Sequence, residues 1–344
     1  MNRVVVSDTP HVRSKRTTKG IMLDVIIALI PATVMGCIYF GWRAVFTLAL
    51  CIISAVATEF VWLLAKKVNI KVIIKRFDLT SIVTGLLLGL TMPALDYSLW
   101  YIPILCSVFA IGVTKMLFGG TGKNIVNPAI AGRVFGFIAF SSAMVSGWVV
   151  PNVGAIDGNT VVGGATPLTA MLADGLTAMG VSNLDLFLGT GVMGCIGETC
   201  KVALLAGGIY LVVRKVIKWQ WPVIYIGITG LISVAMVGDW NFFLPSILSG
   251  GLILGAVFMA TDYVTSPNNK WASYVYYIIL GAITALLRFG TGIEVVSFAI
   301  LLMNLIVPLL NTYIRPRPFG SKPIKVLIKE KIDGLKNKKK EETK

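Results

Sequence analysis

The sequence predicts an all-α polytopic membrane protein with about ten transmembrane helices in two inverted five-helix repeats. Composition is the first observation behind this. The 344 residues are 56% hydrophobic and only 14% charged, with a mean hydropathy of +0.82, whereas soluble domains carry roughly 25% charged residues. The second is a series of apolar stretches of about the length needed to cross a bilayer as helix. They lie at 22–41, 43–65, 79–95, 98–118, 129–148, 200–217, 221–238, 243–261, 272–289 and 293–314. The third is where the basic residues fall.

Lys and Arg number 31 against 16 Asp and Glu, a net charge of +15. A nucleic-acid partner is excluded by the distribution, because the cations sit in short inter-span loops and in the two tails rather than on one face of a soluble domain. With the N-terminus inside, every second loop is basic. The opposite side holds only Arg43, Lys201 and Arg288 of the 31 cations. The positive-inside rule therefore puts both termini in the cytoplasm. The chain divides into a cytoplasmic tail (1–21), a first transmembrane repeat (22–148), an outer loop (149–199), a second repeat (200–314) and a basic cytoplasmic tail (315–344). The first apolar run is too long for a signal-peptide core and no small-residue cleavage pattern follows it, so it reads as a retained span.

The repeat rests on two pairs of motifs. Leu79-Thr80-Ser81-Ile82-Val83-Thr84-Gly85 resembles Leu244-Pro245-Ser246-Ile247-Leu248-Ser249-Gly250, and Phe118-Gly119-Gly120-Thr121-Gly122 resembles Phe289-Gly290-Thr291-Gly292. The copies are an odd number of spans apart, so the halves face opposite ways. Inverted halves of this kind hold their sites at the shared interface near the midplane.

Side chains that carry chemistry are few. Cys37, Cys51, Cys106, Cys195 and Cys200 form no Cys-x-x-Cys pair, and His11, in the tail, is the single histidine. The pattern gives no metal site, and cysteines in apolar runs behave as small hydrophobes. Glu59 and Glu198 are the acids deepest in or beside apolar runs, where charge is costly and often functional. Glu59 is close enough to the inner face to snorkel, and Glu198 has Lys201 three residues on, a helical ion-pair spacing. Asp24, Asp78 and Asp262 fall at cytoplasmic ends of spans. Arg133, near the start of the fifth span, suits either an interfacial place or contact with a phosphate or quinone-like group.

The outer loop contains turn signals and then Gly163-Gly164-Ala165-Thr166-Pro167-Leu168-Thr169. Glycines permit close approach of backbone to a phosphate. On the residues alone, Thr166 has two readings: an acceptor for covalent modification, or the N-cap of a helix begun by Pro167. No Gly-x-Gly-x-x-Gly in a strand–helix context is present, so a dinucleotide binds elsewhere.

The chain resembles the NqrB/RnfD family of ion-translocating electron-transport subunits over nearly its whole length. The resemblance rests on Asp24-Val25-Ile26-Ile27-Ala28-Leu29-Ile30-Pro31, Asn127-Pro128-Ala129, Gly164-Ala165-Thr166-Pro167-Leu168 and Gly197-Glu198-Thr199. Met259-Ala260-Thr261-Asp262, Thr265-Ser266-Pro267 and Ala299-Ile300-Leu301-Leu302-Met303-Asn304 extend it. It implies FMN bound covalently through its phosphate to Thr166, with Gly163, Gly164, Ala165, Glu198 and Thr199 around it, and a second, non-covalent flavin. It further implies a plasma-membrane subunit of a Rnf-type ferredoxin:NAD oxidoreductase, relaying electrons between partner subunits while Na⁺ or H⁺ moves outward. No complete active site is then expected in this chain alone. The implied partners are the other Rnf subunits, membrane lipid and, during maturation, a flavin transferase. The competing reading is a secondary transporter or channel with inverted repeats and no redox group. The 315–344 tail carries Ile324, Leu327, Ile328, Ile332 and Leu335 at helical spacing among lysines, which suits the anionic inner leaflet or a partner.

The basic-residue asymmetry makes a direct prediction. In a chain cleared of native cysteines, a cysteine replacing Asn159 reacts with an impermeant thiol reagent from the outside only. Labelling confined to the cytoplasmic side would reverse the topology.

Overall fold

The computed structural model describes residues 16–145 and 166–314, and all regular structure among them is helical. The 315–344 tail with its amphipathic spacing lies outside these residues, as do Gly163, Gly164 and Ala165.

Helix α1 (Thr18–Ala65) opens on Thr17, whose hydroxyl accepts the Gly20 N–H at 3.1 Å. It covers the first two predicted spans. Gly41, at φ +63° and ψ −147°, separates its two limbs, a conformation that glycine adopts at little steric cost. After the short α2 (Ile70–Arg76) come α3 (Thr80–Leu90) and α4 (Tyr101–Val108), which runs on as a π-helical stretch over Phe109–Met116. Helix α5 (Pro128–Ala139) starts at Asn127, whose side chain accepts the Ala129 N–H at 3.0 Å. Three short helices follow: α6 (Ser141–Val145), α7 (Pro167–Asp174) and α8 (Asn183–Leu188). The second half has α9 (Lys201–Val213), α10 (Gln220–Val237), α11 (Phe243–Leu248) and α12 (Leu252–Leu254), the last continuing as a π stretch over Gly255–Met259. Helices α13 (Lys270–Thr291) and α14 (Val296–Tyr313) complete it.

All ten apolar stretches carry helix, but they are not ten full-length spans. Among the described residues five helices are long and apolar enough to cross a membrane, the two limbs of α1 counted together, and Trp240–Leu248 with Leu252–Met259, bent by 67°, adds a further span if the pair counts as one. Helices α3, α5 and α9 have 11, 12 and 13 residues. At 1.5 Å per residue that is about 17–20 Å, short of a hydrocarbon core of about 30 Å. After α3 the chain continues within the protein without helix. Beyond Leu90 the backbone leaves the helix, and the Leu90 and Met92 carbonyls accept the N–H groups of Gly197 (2.7 Å) and Ile196 (3.0 Å). Irregular backbone is tolerated at membrane depth when it is enclosed in protein and hydrogen-bonded.

Close helix contacts use small residues, as membrane packing favours. Gly85 of α3 lies against the backbone of Cys51 and Ile52 in α1, and Gly207 of α9 lies against the Ala28 carbonyl. One continuous apolar core joins both halves, from Leu29 and Phe40 through Leu88 and Ile130 to Leu204, Tyr276 and Ile300.

Each half also buries a cation against the same motif position. Lys115, in the π stretch, donates to Thr80 Oγ1 (2.6 Å), Ser81 Oγ (3.2 Å) and both oxygens of Glu59 (3.1 Å each). In the second half Arg288 donates to the carbonyl of Ser246, the counterpart of Ser81 in the motif alignment, at 2.8 Å. The expectation that Glu59 snorkels is corrected: a partner 56 residues away holds it in place. Asp24 pairs with Arg214 and Tyr210, Asp78 accepts from Thr80 and Thr121, and Asp262 accepts from Thr265.

Breaking a buried pair is expected to cost about 3–5 kcal/mol because the survivor is left charged and alone. Lys115→Met should therefore lower the melting temperature in detergent sharply, and Lys115→Met with Glu59→Gln should recover much of the loss. Equal melting temperatures for parent and Lys115→Met would contradict this.

Candidate functional site

Thr166 begins α7 as its N-cap. Its Oγ1 accepts the Thr169 N–H at 3.3 Å and lies 3.1 Å from Thr169 Oγ1, which in turn donates to the Thr166 carbonyl at 2.7 Å. Pro167 occupies the first helical position, where a missing N–H costs nothing. Thr166 is half-buried, while Leu168 and Met171 pack into a small apolar cluster with Phe242. Helix α8, packed against α11 and α9, starts on a capping box between Ser182 and Asp185. Hydrogen bonds from Ser182 and Thr190 hold the Asp185 carboxyl below the ordinary carboxylate range. Tyr39, at the end of the first limb of α1, donates to the Leu188 carbonyl at 2.9 Å. This segment thus sits at the Gly41 end of α1, the face opposite Thr18.

The Thr166 side chain stands on the wall of a cavity of about 230 Å³. The rest of the lining comes from distant chain: Arg133 and Phe137 of α5, Cys195 and Glu198 before α9, Lys201 at the start of α9, Ser249 and Gly250 at the α11–α12 break, and Glu294 before α14. Three of its charged groups are deeply buried, with Lys201 1%, Arg133 7% and Glu198 8% exposed, while Glu294 is partly exposed.

Two cations serve the helix break. Lys201 Nζ donates to the Gly250 carbonyl at 3.1 Å and also to the Glu198 carbonyl. Arg288 donates to the Ser246 and Ser249 carbonyls at 2.8 and 3.3 Å and pairs with Glu294 at 2.9 Å. The last carbonyls of a helix have no partner within it and carry partial negative charge, so cations at the end of α11 satisfy both needs. Gly250 has φ +67°, and a side chain there would run into the Glu294 carboxylate. Only glycine fits the bend.

Glu198 is corrected in its partner. Its carboxylate accepts the Cys195 N–H at 2.7 Å, and Lys201 takes its backbone oxygen instead. The helical ion-pair spacing does not apply because α9 begins at Lys201, with Cys200 as its N-cap. Arg133 is likewise not interfacial. Its Nη2 contacts Cys195 Sγ at 3.3 Å, and Nη1 is buried with no hydrogen-bond partner among the described residues. Ser249 Oγ is in the same condition on the same wall. Thr199 is 1% exposed and is not part of the wall, its hydroxyl turned to the Ile196 carbonyl at 3.5 Å. The structure brings Thr166 and Glu198 to one cavity and leaves Thr199 behind it, while Gly163, Gly164 and Ala165 lie outside the described residues. All five cysteines are free and, among the described residues, no His, Cys, Asp or Glu cluster suits a metal.

Sequence alone does not single out Lys201, Ser249, Gly250, Arg288 and Glu294 as site residues. The legible signals are Lys201 and Arg288, two of the three cations that the positive-inside expectation leaves on the opposite side, and the motif match that pairs Gly250 with Gly85.

Broken helices around a buried, charged cavity define a polytopic membrane protein with an internal polar site. The chain belongs to the NQR2, RnfD, RnfE family, whose sequence profile matches residues 5–320. It is 40% identical over 326 residues to a subunit of the Na(+)-translocating ferredoxin:NAD(+) oxidoreductase complex of Acetobacterium woodii, covering 94% of this chain and 97% of that one. It is 36% identical to a subunit of the proton-translocating ferredoxin:NAD(+) oxidoreductase complex of Clostridium ljungdahlii, covering 93% and 97%. Against a subunit of the ion-translocating oxidoreductase complex of Stutzerimonas stutzeri the identity is 35%, covering 87% and 91%.

Lys201→Met should leave the Gly250 and Glu198 carbonyls without their donor, at about 1–3 kcal/mol for each buried polar group left unsatisfied. Thermal unfolding of the detergent-purified protein measures this. An unchanged midpoint would mean that the break does not depend on Lys201.

Proposed function

We propose that this chain is the membrane subunit of an ion-translocating ferredoxin:NAD oxidoreductase complex and that it carries FMN joined through phosphate to Thr166. The family and the names of its relatives support the first part. The relatives are subunits of multi-subunit complexes, so the partners are the other subunits, with lipid around the helices and a flavin transferase acting during maturation. Their names differ in the ion moved, Na⁺ in one and H⁺ in another, and the coupling proposed here is to cation translocation.

The observation that carries the second part is a hydroxyl on the wall of a cavity lined with buried cations. Thr166 Oγ1 stands at the N-terminus of α7, where N–H groups and the helix dipole favour an attached phosphate. The residues present fit an anionic, partly aromatic group. Arg133 Nη1 and Ser249 Oγ are buried donors without a partner among the described residues, and Phe137, Met144, Leu168 and Leu186 supply apolar wall. When bound, FMN accepts and passes on one or two electrons. The chain's own task is to fix the phosphate at Thr166, exclude bulk water and set the local charge through Arg133, Lys201, Glu198 and Glu294. A second, non-covalent flavin belongs to the same proposal, on the resemblance alone. Both termini are assigned to the cytoplasm and the Thr166 segment to the outside, from the charge asymmetry.

The second reading is a secondary transporter with no redox group. Its support is the helix pair bent by 67°, a device transporters use at their binding sites.

One experiment separates the two. In cells that contain the flavin transferase, mass spectrometry of the loop peptide is expected to find a single FMN-sized adduct on Thr166. Thr166→Val, which removes the hydroxyl and keeps the shape, should insert normally and carry none. An adduct on Thr169, or an unmodified parent loop, would overturn the assignment.

A further inference from the structure

We infer that Arg133 is a positioning residue for the flavin ring: it supplies the uncommitted positive charge of the outer cavity and stabilises the negative charge that reduction places on the ring. This rests on the proposed attachment of FMN at Thr166.

Three cations stand in or beside the cavity. Arg288 is committed to two carbonyls and to Glu294, and Lys201 commits two of its three N–H groups to carbonyls at the break. Arg288 Nε is also buried without a partner among the described residues, but both terminal nitrogens of Arg288 are engaged by oxygen acceptors, whereas Arg133 leaves a terminal nitrogen without a partner. It donates to a cysteine sulfur, a weak acceptor, and its Nη1 is buried without a partner among the described residues. A buried donor of a charged group without an acceptor is costly, so its persistence points to a ligand. The charge count agrees. Arg133, Lys201 and Arg288 stand against Glu198 and Glu294, which leaves one positive charge in excess.

The anion that complements it is the ring rather than the phosphate. A phosphate on Thr166 already has the α7 N-terminus and sits on a half-buried residue, where the helix dipole and water both serve it. Arg133 is on another helix, against Cys195, and lines the same cavity as Thr166 from a buried position. Two electrons and one proton, taken from the electron donor and solvent, leave a reduced flavin with one net negative charge on its pyrimidine side. A planar guanidinium matches that edge with parallel donors. No proton leaves Arg133.

The test uses the full chain, purified after expression with a flavin transferase, as parent, Arg133→Met and Arg133→Lys. Two quantities are read: the mass of the loop peptide and the midpoint potential of the covalent flavin by optical redox titration. All three proteins should carry the adduct. Arg133→Met should lower the midpoint by about 30 mV or more, the two-electron equivalent of a tenfold loss in preference for the reduced form. Arg133→Lys, which keeps the charge without the fork, should lie between parent and Arg133→Met. A parent without adduct would sink the attachment itself and this inference with it. An adduct present with an unchanged midpoint in Arg133→Met would sink this inference alone. Loss of the adduct in both inserted variants would assign Arg133 to the phosphate and overturn the ring assignment. Should Arg133→Met fail to insert, Arg133→Gln decides by the same midpoint criterion.

Discussion

The architecture depends on one constraint: backbone at membrane depth must find its hydrogen-bond partners inside the protein. Three helices stop short and one span is broken, so the chain presents N–H and C=O groups where there is no water to receive them. Two solutions appear. At Leu90 and Met92, carbonyls at and past the end of α3 are met by N–H groups of Gly197 and Ile196, just before α9. At Ser246, Ser249 and Gly250, carbonyls at and past the end of α11 are met by Arg288 and Lys201. Both solutions join elements distant in sequence.

Using cations to close the break has a further effect. Lysine and arginine are costly to bury alone, and the carboxylates of Glu198 and Glu294 accompany them. The result is a group of alternating charges beneath the segment that carries Thr166, held by helix ends. The cavity is therefore polar for structural reasons, and the chemistry proposed for it uses charges that the break already requires. The first half contains a parallel arrangement in Lys115, Thr80, Ser81 and Glu59, but there the lysine donors are all engaged and their partners are side chains.

Much of this is legible in the sequence, for identifiable reasons. The apolar stretches follow from the solvent, and each carries helix. Asn127 before Pro128 and Thr166 before Pro167 are local signals, since a cap and its helix are neighbours in the chain, and both caps are present. The two readings of Thr166, as cap and as acceptor, concern the same oxygen atom. What sequence does not supply is partnership across the chain. Glu59 and Lys115 are 56 residues apart, and Gly250 and Lys201 are 49 apart. A helical ion pair between Glu198 and Lys201 needs a helix already formed at Glu198, and that helix starts only at Lys201. Arg133 suits an interface on sequence grounds because depth cannot be judged from position within an apolar run. Hydropathy also marks where chain is buried without saying whether it is coiled, so α3, α5 and α9 read as full spans.

As cap and proposed acceptor at once, Thr166 Oγ1 governs how anything bonded to it behaves. A surface hydroxyl on a free loop would carry its passenger on a flexible tether. Here the oxygen is tied to the Thr169 amide and followed by a proline, so the bond leaving it starts from a fixed point at the end of a helix axis. Helix α7 then acts as a mounting arm: its packing through Leu168 and Met171 sets the bearing of the attached group, and substitutions in that small cluster would turn the group without touching it.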